Sequence, residues 1–381
     1  MTQRSHRPGR LAAPALALAA ALLLTAAGCS EVTGGEGRGE ARVLWRVPLE
    51  EPAFGFGVPA TDGERLYAPY RGVSAFSARD GRLLWRRPLA QYAPRNLVLQ
   101  GGRVYAAESV VFAFDAATGR ELWRFSPDSS ADYAQSAADE RALYVGTRDH
   151  RVTALGAADG LPLWSTDVGP GWEHAGLVAG VAVSGDTVYA AAERHHSANG
   201  FFSSGWLVAL DRATGRVLWT YRSGDGTDGR TFSSAPTVAG RLLLASDRKA
   251  NAVVAVDRFT GREAWRATGL PGFVGFTMAP EVVDGVVYAS SGDRRVYAFR
   301  LDDGSALWRT ETPAANDYFA VCGGRVLANY QGVAVIDRRT GHRLQQLLDA
   351  DEDFVSSPFA VAGSRAWVLG NRAMYALACG G

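Results

Sequence analysis

A nine-residue phrase, Asp-x-x-Thr-Gly-x-x-x-Trp, recurs along the chain and constrains its architecture more than any other feature. Complete copies run from Asp115 to Trp123, from Asp211 to Trp219 and from Asp257 to Trp265. Partial copies end at Trp85, Trp164 and Trp308, and a seventh copy has Gln345 in place of Trp. Successive copies are 37 to 55 residues apart. A period of about 40 to 45 residues, with short alternating strands in each unit, predicts a β-propeller of four-stranded blades.

The phrase combines a tight turn with an outer strand. The Asp and Thr oxygens bond nearby backbone groups, and Gly tolerates the positive φ that closes the turn. The Trp is too large for one blade to bury, so we expect it to pack between neighbouring blades. Contact with a ligand is the alternative role, which the regular recurrence disfavours. The predicted packing residues are Trp45, Trp85, Trp123, Trp164, Trp219, Trp265 and Trp308, with Gly119, Gly215 and Gly261.

An Ala two residues before the turn Asp completes a longer signature in the three full copies (Ala113, Ala209 and Ala255). This signature resembles the tryptophan docking motif of the pyrroloquinoline-quinone-like (PQQ-like) repeat family, and the resemblance covers about residues 43 to 378. It implies an all-β fold, an eight-bladed β-propeller of four-stranded antiparallel blades. A single propeller domain over residues 43–381 is therefore expected.

The two ends of the predicted propeller complement each other. Val43 to Leu49 matches the outer strand Leu83 to Leu89 almost letter for letter, yet no blade precedes it. At the other end, the stretch from Phe354 to Ala378 supplies three strands and then stops. We expect the N-terminal strand to complete the last blade, which closes the ring and leaves no blade unfinished.

The N-terminal segment predicts export and anchoring. A basic start precedes an apolar run from Leu11 to Leu24, which is too short to span a membrane comfortably. Small residues before Cys29 resemble the lipobox of bacterial lipoproteins, with Ala26 where Leu is usual. Residues 1–28 are thus predicted to be a lipoprotein signal peptide, Cys29 the lipidation site and residues 29–42 a flexible tether. Ordinary cleavage that leaves a free Cys29 is the alternative.

Two further cysteines, Cys322 and Cys379, lie in the predicted propeller. Repeat alignment places both at turns on the same face of the ring, in adjacent blades. A disulfide between them and two unpaired thiols are both compatible with the sequence, because spacing between Cα atoms cannot be read from it. No CxxC or Cys/His spacing accompanies them, so no metal site is expected.

Composition and motifs argue against several function classes. A formal net charge of +1 gives no electrostatic basis for binding nucleic acid. No G-x-S-x-G, P-loop, HExxH or CxxCH motif is present, so we predict no catalytic residue. The resemblance implies that quinone-dependent dehydrogenases of the family carry an adjacent cysteine pair and calcium ligands. This sequence has no such pair, and no calcium ligands can be matched to it, so we expect no cofactor, neither PQQ nor calcium.

One blade departs from the repeat. Blade four takes 55 residues from Trp to Trp, and the excess lies between Glu193 and Trp206, which predicts a long loop between its second and third strands. The same face should carry the loops that join the blades. Its predicted partner-binding residues are Trp172, Glu173, His174, Glu193, His195, His196, Phe201, Phe202 and Phe273. A metal site built from the histidines and Glu193 is the sharper alternative, and a solvated loop anchored by aromatics is the favoured one.

These features together predict a monomeric, non-enzymatic binding module, either a scaffold for proteins or peptides or a sensor, tethered to the outer face of the cell membrane. In size and anchoring the chain is similar to the propeller lipoprotein of the outer-membrane barrel-assembly machinery. In an organism with an outer membrane, the corresponding expectation is an outer-membrane protein assembly factor on the periplasmic side. The enzymatic alternative is a PQQ-dependent dehydrogenase.

Overall fold

A computed structural model describes residues 40–52, 57–89, 94, 96–128, 134–169, 176–195, 203–223, 232–248, 250–269, 278–312, 318–329, 332–349 and 357–380. Within these ranges the chain forms only strands, turns and irregular segments, and no helix there could cross a membrane. The strands make eight four-stranded sheets, all of them antiparallel. The predicted all-β, eight-bladed propeller is therefore confirmed.

The first half of the chain contributes β1 (Arg42–Pro48), β2 (Ala60–Thr61), β3 (Arg65–Ala68), β4 (Val73–Ser77), β5 (Leu83–Arg87), β6 (Asn96–Gln100), β7 (Arg103–Ala107), β8 (Val111–Asp115), β9 (Glu121–Phe125), β10 (Ala137–Ala138), β11 (Ala142–Gly146), β12 (Arg151–Gly156), β13 (Pro162–Asp167), β14 (Gly176–Ser184), β15 (Thr187–His195), β16 (Ser203–Asp211) and β17 (Val217–Ser223). The second half contributes β18 (Thr237–Ala239), β19 (Leu242–Asp247), β20 (Ala252–Asp257), β21 (Glu263–Thr268), β22 (Glu281–Val283), β23 (Val286–Ser291), β24 (Arg295–Arg300), β25 (Ala306–Glu311), β26 (Tyr318–Cys322), β27 (Arg325–Asn329), β28 (Gly332–Asp337), β29 (Arg343–Asp349), β30 (Ala360–Ala362), β31 (Arg365–Leu369) and β32 (Ala373–Ala378).

Blades one to seven are consecutive meanders, from β2–β5 to β26–β29. The first strand of each blade contacts the first strands of both neighbouring blades, so these eight strands line the centre of the ring. The fourth strand of each blade is consequently the outer one. The chain places its shortest strands, such as β2 and β10, at the centre and its Trp-bearing strands at the rim.

The hydrophobic core consists of eight layers, one between each pair of neighbouring blades. Between blades two and three, for example, Tyr105, Val111 and Trp123 pack against Leu143 and Leu155. The inner strands need near-continuous apolar runs, because each blade is covered on both sides.

The ring closes in blade eight through β1. This strand pairs antiparallel with β32, from Arg42 opposite Ala378 to Pro48 opposite Ala373. The remaining strands of the blade, β30 and β31, belong to the C-terminal segment. Closure by the N-terminal strand is thus as the sequence predicted, although the first strand of this blade is shorter than the stretch from Phe354 to Val361 suggested.

A disulfide crosslinks the blades on either side of the closure. Cys322 at the end of β26 is bonded to Cys379 just beyond β32, with Cα atoms 5.8 Å apart. Both cysteines are fully buried. The bond therefore joins blade seven directly to blade eight.

Candidate binding face and docking motif

Each end of the ring carries two kinds of connection between strands, because every blade is an antiparallel meander. The turns between the first and second strands and between the third and fourth strands lie at one end, which we call the turn face. The turns between the second and third strands and the links between blades lie at the other end, which we call the loop face.

The docking motif lies toward the turn face and joins each blade to the next. Trp85 of blade one donates a 3.0 Å hydrogen bond from Nε1 to the carbonyl oxygen of Ala116 in blade two. Gly119 in the same turn has a φ of +68°, and a Cβ built on it would lie 2.5 Å from the Trp85 ring. Only Gly satisfies both the backbone conformation and the close approach of the indole.

The same arrangement recurs at six further junctions. Each indole Nε1 donates to a carbonyl oxygen of the following blade over 2.8 to 3.2 Å, in Trp45, Trp85, Trp123, Trp164, Trp219, Trp265 and Trp308. Gly215 lies under Trp164, and Gly261 under Trp219. These tryptophans are therefore engaged in packing between blades.

The turn aspartates are held as carboxylates by their own turns. In blade two, Asp115 Oδ1 accepts hydrogen bonds from the Thr118 hydroxyl at 2.7 Å and from the Thr118 amide at 2.8 Å. These two bonds, the hydroxyl first, hold the pKa of Asp115 below its usual range. The equivalent bonds to Thr214 lower the pKa of Asp211.

Blade four carries the largest departure from the repeat on the loop face. Its second and third strands, β15 and β16, have nine residues each, whereas the second strands of the other blades have four to six. Glu193 and Trp206 were predicted to bound a loop, but they belong to these strands, where Glu193 pairs with Gly205 and Ala192 with Trp206. The prediction of a loop is therefore wrong for residues 194, 195, 203 and 204, which belong to the strands. Backbone pairing with the partner strand outweighs the polar composition of the segment.

Packing extends up this hairpin. Trp206 donates from Nε1 to the Ser204 hydroxyl at 2.9 Å, and the Arg222 guanidinium lies 5.8 Å from the centre of its ring. Phe232, which enters blade five, is fully buried, and its ring leaves no room for a Cβ on Gly205. Phe232 thus anchors the hairpin to blade five and is not part of an exposed surface.

Most other residues predicted for the binding face lie outside the described ranges. His195 belongs to β15, opposite Ser203, but its side chain is not described. The binding-face predictions that remain untested on this ground concern Trp172, Glu173, His174, His196, Phe201, Phe202 and Phe273, and the predicted lipidation site Cys29 also lies outside the described residues. Among the described residues, no group of three or more His, Cys, Asp or Glu side chains could hold a metal ion.

A cavity of about 510 Å³, which no sequence pattern predicted, opens between blades two and three. It is lined by Phe125, Ser126, Pro127, Asp128, Thr147, Asp149, Arg151, Thr153, Pro162 and Ser165. Next to it, His150 Nδ1 lies 2.7 Å from Asp167 Oδ1. The lining residues come from β9 and the segment that follows it, from β12 and β13, and from the turn after β11, so only the packing of two blades brings them together.

A buried polar network ties blades four and five together. Asp247 is fully buried and accepts a 2.7 Å hydrogen bond from the Ser223 hydroxyl. Arg266 NH1 lies 3.5 Å from the same carboxylate oxygen, and its NH2 donates to the Tyr221 hydroxyl at 2.9 Å. Each group is satisfied by another member, so the network is a structural crosslink between blades.

One carboxyl at the centre of the ring has a shifted titration. Glu281 on β22 accepts a 2.8 Å hydrogen bond from the Val321 amide of blade seven. Burial raises the pKa of Glu281 to about 7, against the opposing effect of that hydrogen bond. A single Glu in a strand carries no sequence signal of such a shift, because the burial comes from neighbouring blades.

Comparison with known proteins agrees with this architecture. A family model described as outer membrane protein assembly factor BamB matches residues 37–192 and 203–352. BamB of Yersinia pestis is 31% identical over 193 residues, which make up 48% of this chain and 44% of that protein. Quinohemoprotein alcohol dehydrogenase ADH IIB of Pseudomonas putida is 29% identical over 141 residues, 34% of this chain and 19% of that enzyme. The matched segments thus span less than half the length of these curated relatives.

The fold is also shared with solved structures. BamB from Moraxella catarrhalis superposes with a TM-score of 0.69 at 19% identity, over 88% of this chain and 97% of that one. At this identity the likeness shows the propeller fold alone.

Proposed function

The chain belongs to the family of the outer membrane protein assembly factor BamB, and from this membership we infer that it is a non-enzymatic scaffold that binds other proteins of the cell envelope. The Yersinia pestis relative bears the name of an outer membrane protein assembly factor, which supports a protein as the partner. We assign the binding surface to the loop face.

The observation that carries this assignment is the long hairpin of blade four, whose two strands have nine residues each. Strands β15 and β16 outrun their counterparts in all other blades, and they are held by Trp206, Arg222 and the buried Phe232. An extension that is rigidly supported and not needed for the ring is typical of a recognition element on a scaffold.

The scaffold is tethered, in this proposal, through a lipid on Cys29. Acylation and removal of residues 1–28 would leave the propeller on the outer face of a membrane, on the periplasmic side of the outer membrane if the organism has one. Metabolic labelling with a fatty-acid probe should mark the wild type and spare the Cys29→Ser variant. Equal labelling of both proteins contradicts the anchor.

Photo-crosslinking in the native envelope tests the binding face. A photo-reactive residue at position 199, between β15 and β16, should give a discrete protein adduct. The matched control carries the probe at Ala117, an exposed position in a docking turn on the turn face. Adducts from position 117 with none from position 199 would mean that partners bind the turn face, which contradicts the assignment to the loop face.

The similarity to ADH IIB makes a quinoprotein dehydrogenase the second candidate. The residues do not fit it, because the two cysteines of the propeller are 57 residues apart and joined between blades, whereas the family's dehydrogenases carry an adjacent pair. Incubation with PQQ and calcium should therefore give neither dye-linked alcohol oxidation nor a thermal shift. Turnover that is lost on mutating one acidic residue would favour the enzyme instead.

A further inference from the structure

The outer strand of blade three differs from the outer strands of all other blades. Each of the other seven, β1, β5, β9, β17, β21, β25 and β29, contains at least one Arg, whereas β13 reads Pro-Leu-Trp-Ser-Thr-Asp. At the position after the docking Trp, five blades have Arg and blade three has Ser165. Charged side chains on edge strands prevent unwanted pairing with other chains. Blade three has Pro162 and Asp167 on its outer strand but lacks the Arg that the outer strands of the other blades carry.

Apolar side chains are exposed at this edge, as they are on the outer strands of several other blades. Leu161 is 63% exposed and Leu163 is 50% exposed, on either side of Pro162. Leu161 is the most exposed large hydrophobic residue in the described part of the chain. An exposed apolar patch at an unprotected edge is a common mark of a protein interaction site.

The cavity between blades two and three adjoins this edge, since Pro162 and Ser165 of β13 are part of its lining. Its charged groups are Asp128, Asp149 and Arg151. The Arg151 guanidinium is hydrogen-bonded to β13: Nε donates to the Ser165 hydroxyl at 3.1 Å, and NH2 donates to the Ser165 carbonyl oxygen at 3.3 Å. Asp128 is exposed, and Asp149 accepts a hydrogen bond from the Thr147 hydroxyl.

Two carboxylates against one guanidinium leave the cavity with a net charge of −1. Hydroxyl groups of Ser126, Thr153 and Ser165 add further acceptors, and Phe125 and Pro127 supply an apolar wall. A cationic side chain with an apolar stem is complementary to this combination, since its stem can pack on the wall while its charge meets the carboxylates.

We propose that the rim between blades two and three is a second docking surface, which takes an extended, basic segment of a partner protein. A Lys or Arg side chain of that segment enters the cavity between Asp128 and Asp149, and its apolar neighbours cover Leu161 and Leu163. This inference rests on the proposed role in protein binding, and it adds the chemistry of the bound segment. The cavity lies between blades two and three and borders the loop face, whereas the hairpin belongs to blade four.

Fluorescence anisotropy with a designed peptide tests the surface directly. The probe is a fluorescein-labelled nonapeptide with a central lysine between two valines, and the matched peptides carry glutamate or norleucine at the centre. The lysine peptide is expected to bind at least about tenfold more tightly than the glutamate peptide at low salt, with the preference shrinking as salt is added. The Asp149→Asn variant should lose most of the preference for lysine, because an amide retains the hydrogen bond from Thr147 but not the charge.

Restoring the repeat residue provides the decisive variant. Ser165→Arg places at this edge the residue that five other blades carry, so the fold should tolerate it while binding falls at least about fivefold. The matched control is Thr220→Arg at the same position of blade four, which should leave binding unchanged. Thermal midpoints of both variants check that the ring is intact.

Three results overturn the proposal: no binding of the lysine peptide, equal binding of the lysine and glutamate peptides, or unchanged binding by Ser165→Arg. The crosslinking from position 199 separates this failure from failure of the proposed function. Adducts from position 199 together with an inert rim would remove this inference alone.

Discussion

A single residue, Glu281, shows how packing at the centre of the ring changes the pKa of a carboxyl group. The pKa of its carboxyl is about 7 in the fold, against 4.5 for the ordinary side chain. Because the folded-state pKa is the higher one, the contribution of Glu281 to stability is complete below about pH 4.5 and is lost as the pH rises through about 7. We therefore expect Glu281→Gln to raise the free energy of unfolding at pH 8 by about 1 to 2 kcal/mol, less than the full shift implies because the side chain is partly exposed.

Urea unfolding at pH 5 and pH 8 measures this effect. The Gln side chain still accepts the hydrogen bond from the Val321 amide, so little change is expected at pH 5. Glu64→Gln at an exposed turn is the control and should change stability equally at both pH values. A Glu281→Gln variant that behaves like this control would show that the carboxyl is ionised in the fold at neutral pH.

For a single structural element, the docking turn, the contribution of its Gly to stability can be divided into a part from backbone conformation and a part from packing. Gly119 and Gly102 have nearly equal φ values, +68° and +71°, but a Cβ on Gly119 meets Trp85 at 2.5 Å, whereas a Cβ on Gly102 meets nothing within 4 Å. Gly102→Ala should cost about 1 to 2 kcal/mol for the left-handed backbone alone. Gly119→Ala should cost about 1 to 3 kcal/mol more, because the methyl group displaces the indole.

The difference between the two variants isolates the contact of one docking Trp with the next blade. Chemical denaturation of both proteins gives it directly. Equal losses of stability would mean that the Trp85 ring moves aside without cost, and the docking motif would then be a consequence of the turn and not a source of stability.

Docking turns could be predicted from sequence because all of their determinants are local. Asp, Thr, Gly and Trp lie within nine residues, and their recurrence predicted the repeated blade, while closure followed from the match of Val43 to Leu49 with Leu83 to Leu89. The hairpin of blade four was harder to predict from the sequence, because continuation of β15 through Glu193 depends on pairing with Gly205 in β16. The cavity beside Ser165 could not be predicted from the sequence, since its walls come from two blades and no local pattern indicates the gap between them.

At the scale of the whole molecule, the junction between blades seven and eight is an exception to the docking pattern. Gln345 replaces the Trp and donates from Nε2 to the carbonyl oxygen of Ala41 at 2.6 Å. Ala41 lies four residues before Trp45, which is the position of the docking Gly in other copies. The two replacements belong together, because a Cβ at the equivalent glycines would lie within 3 Å of the indole in each of the seven other junctions.

The disulfide lies at the junction that lacks a docked Trp, and we expect it to compensate for that absence. Cys322 and Cys379 join blades seven and eight, the pair that lacks a docked Trp and in which the two ends of the chain meet. Replacing both cysteines by Ala should lower the free energy of unfolding by about 2 to 5 kcal/mol. Reduction of the wild type by dithiothreitol under denaturing-midpoint conditions should give a loss of the same size.

Restoring the docked Trp at this junction tests whether the two devices are interchangeable. In the background without cysteines, Gln345→Trp alone should destabilise the ring, because the indole would meet the Ala41 methyl group. Ala41→Gly alone should also destabilise it, since it adds backbone freedom and no packing. The double variant should recover stability relative to the sum of the single changes, by about 1 to 3 kcal/mol in a double-mutant cycle. Additive losses would show that closure depends on pairing between β1 and β32 and that the disulfide does not stand in for a docked Trp.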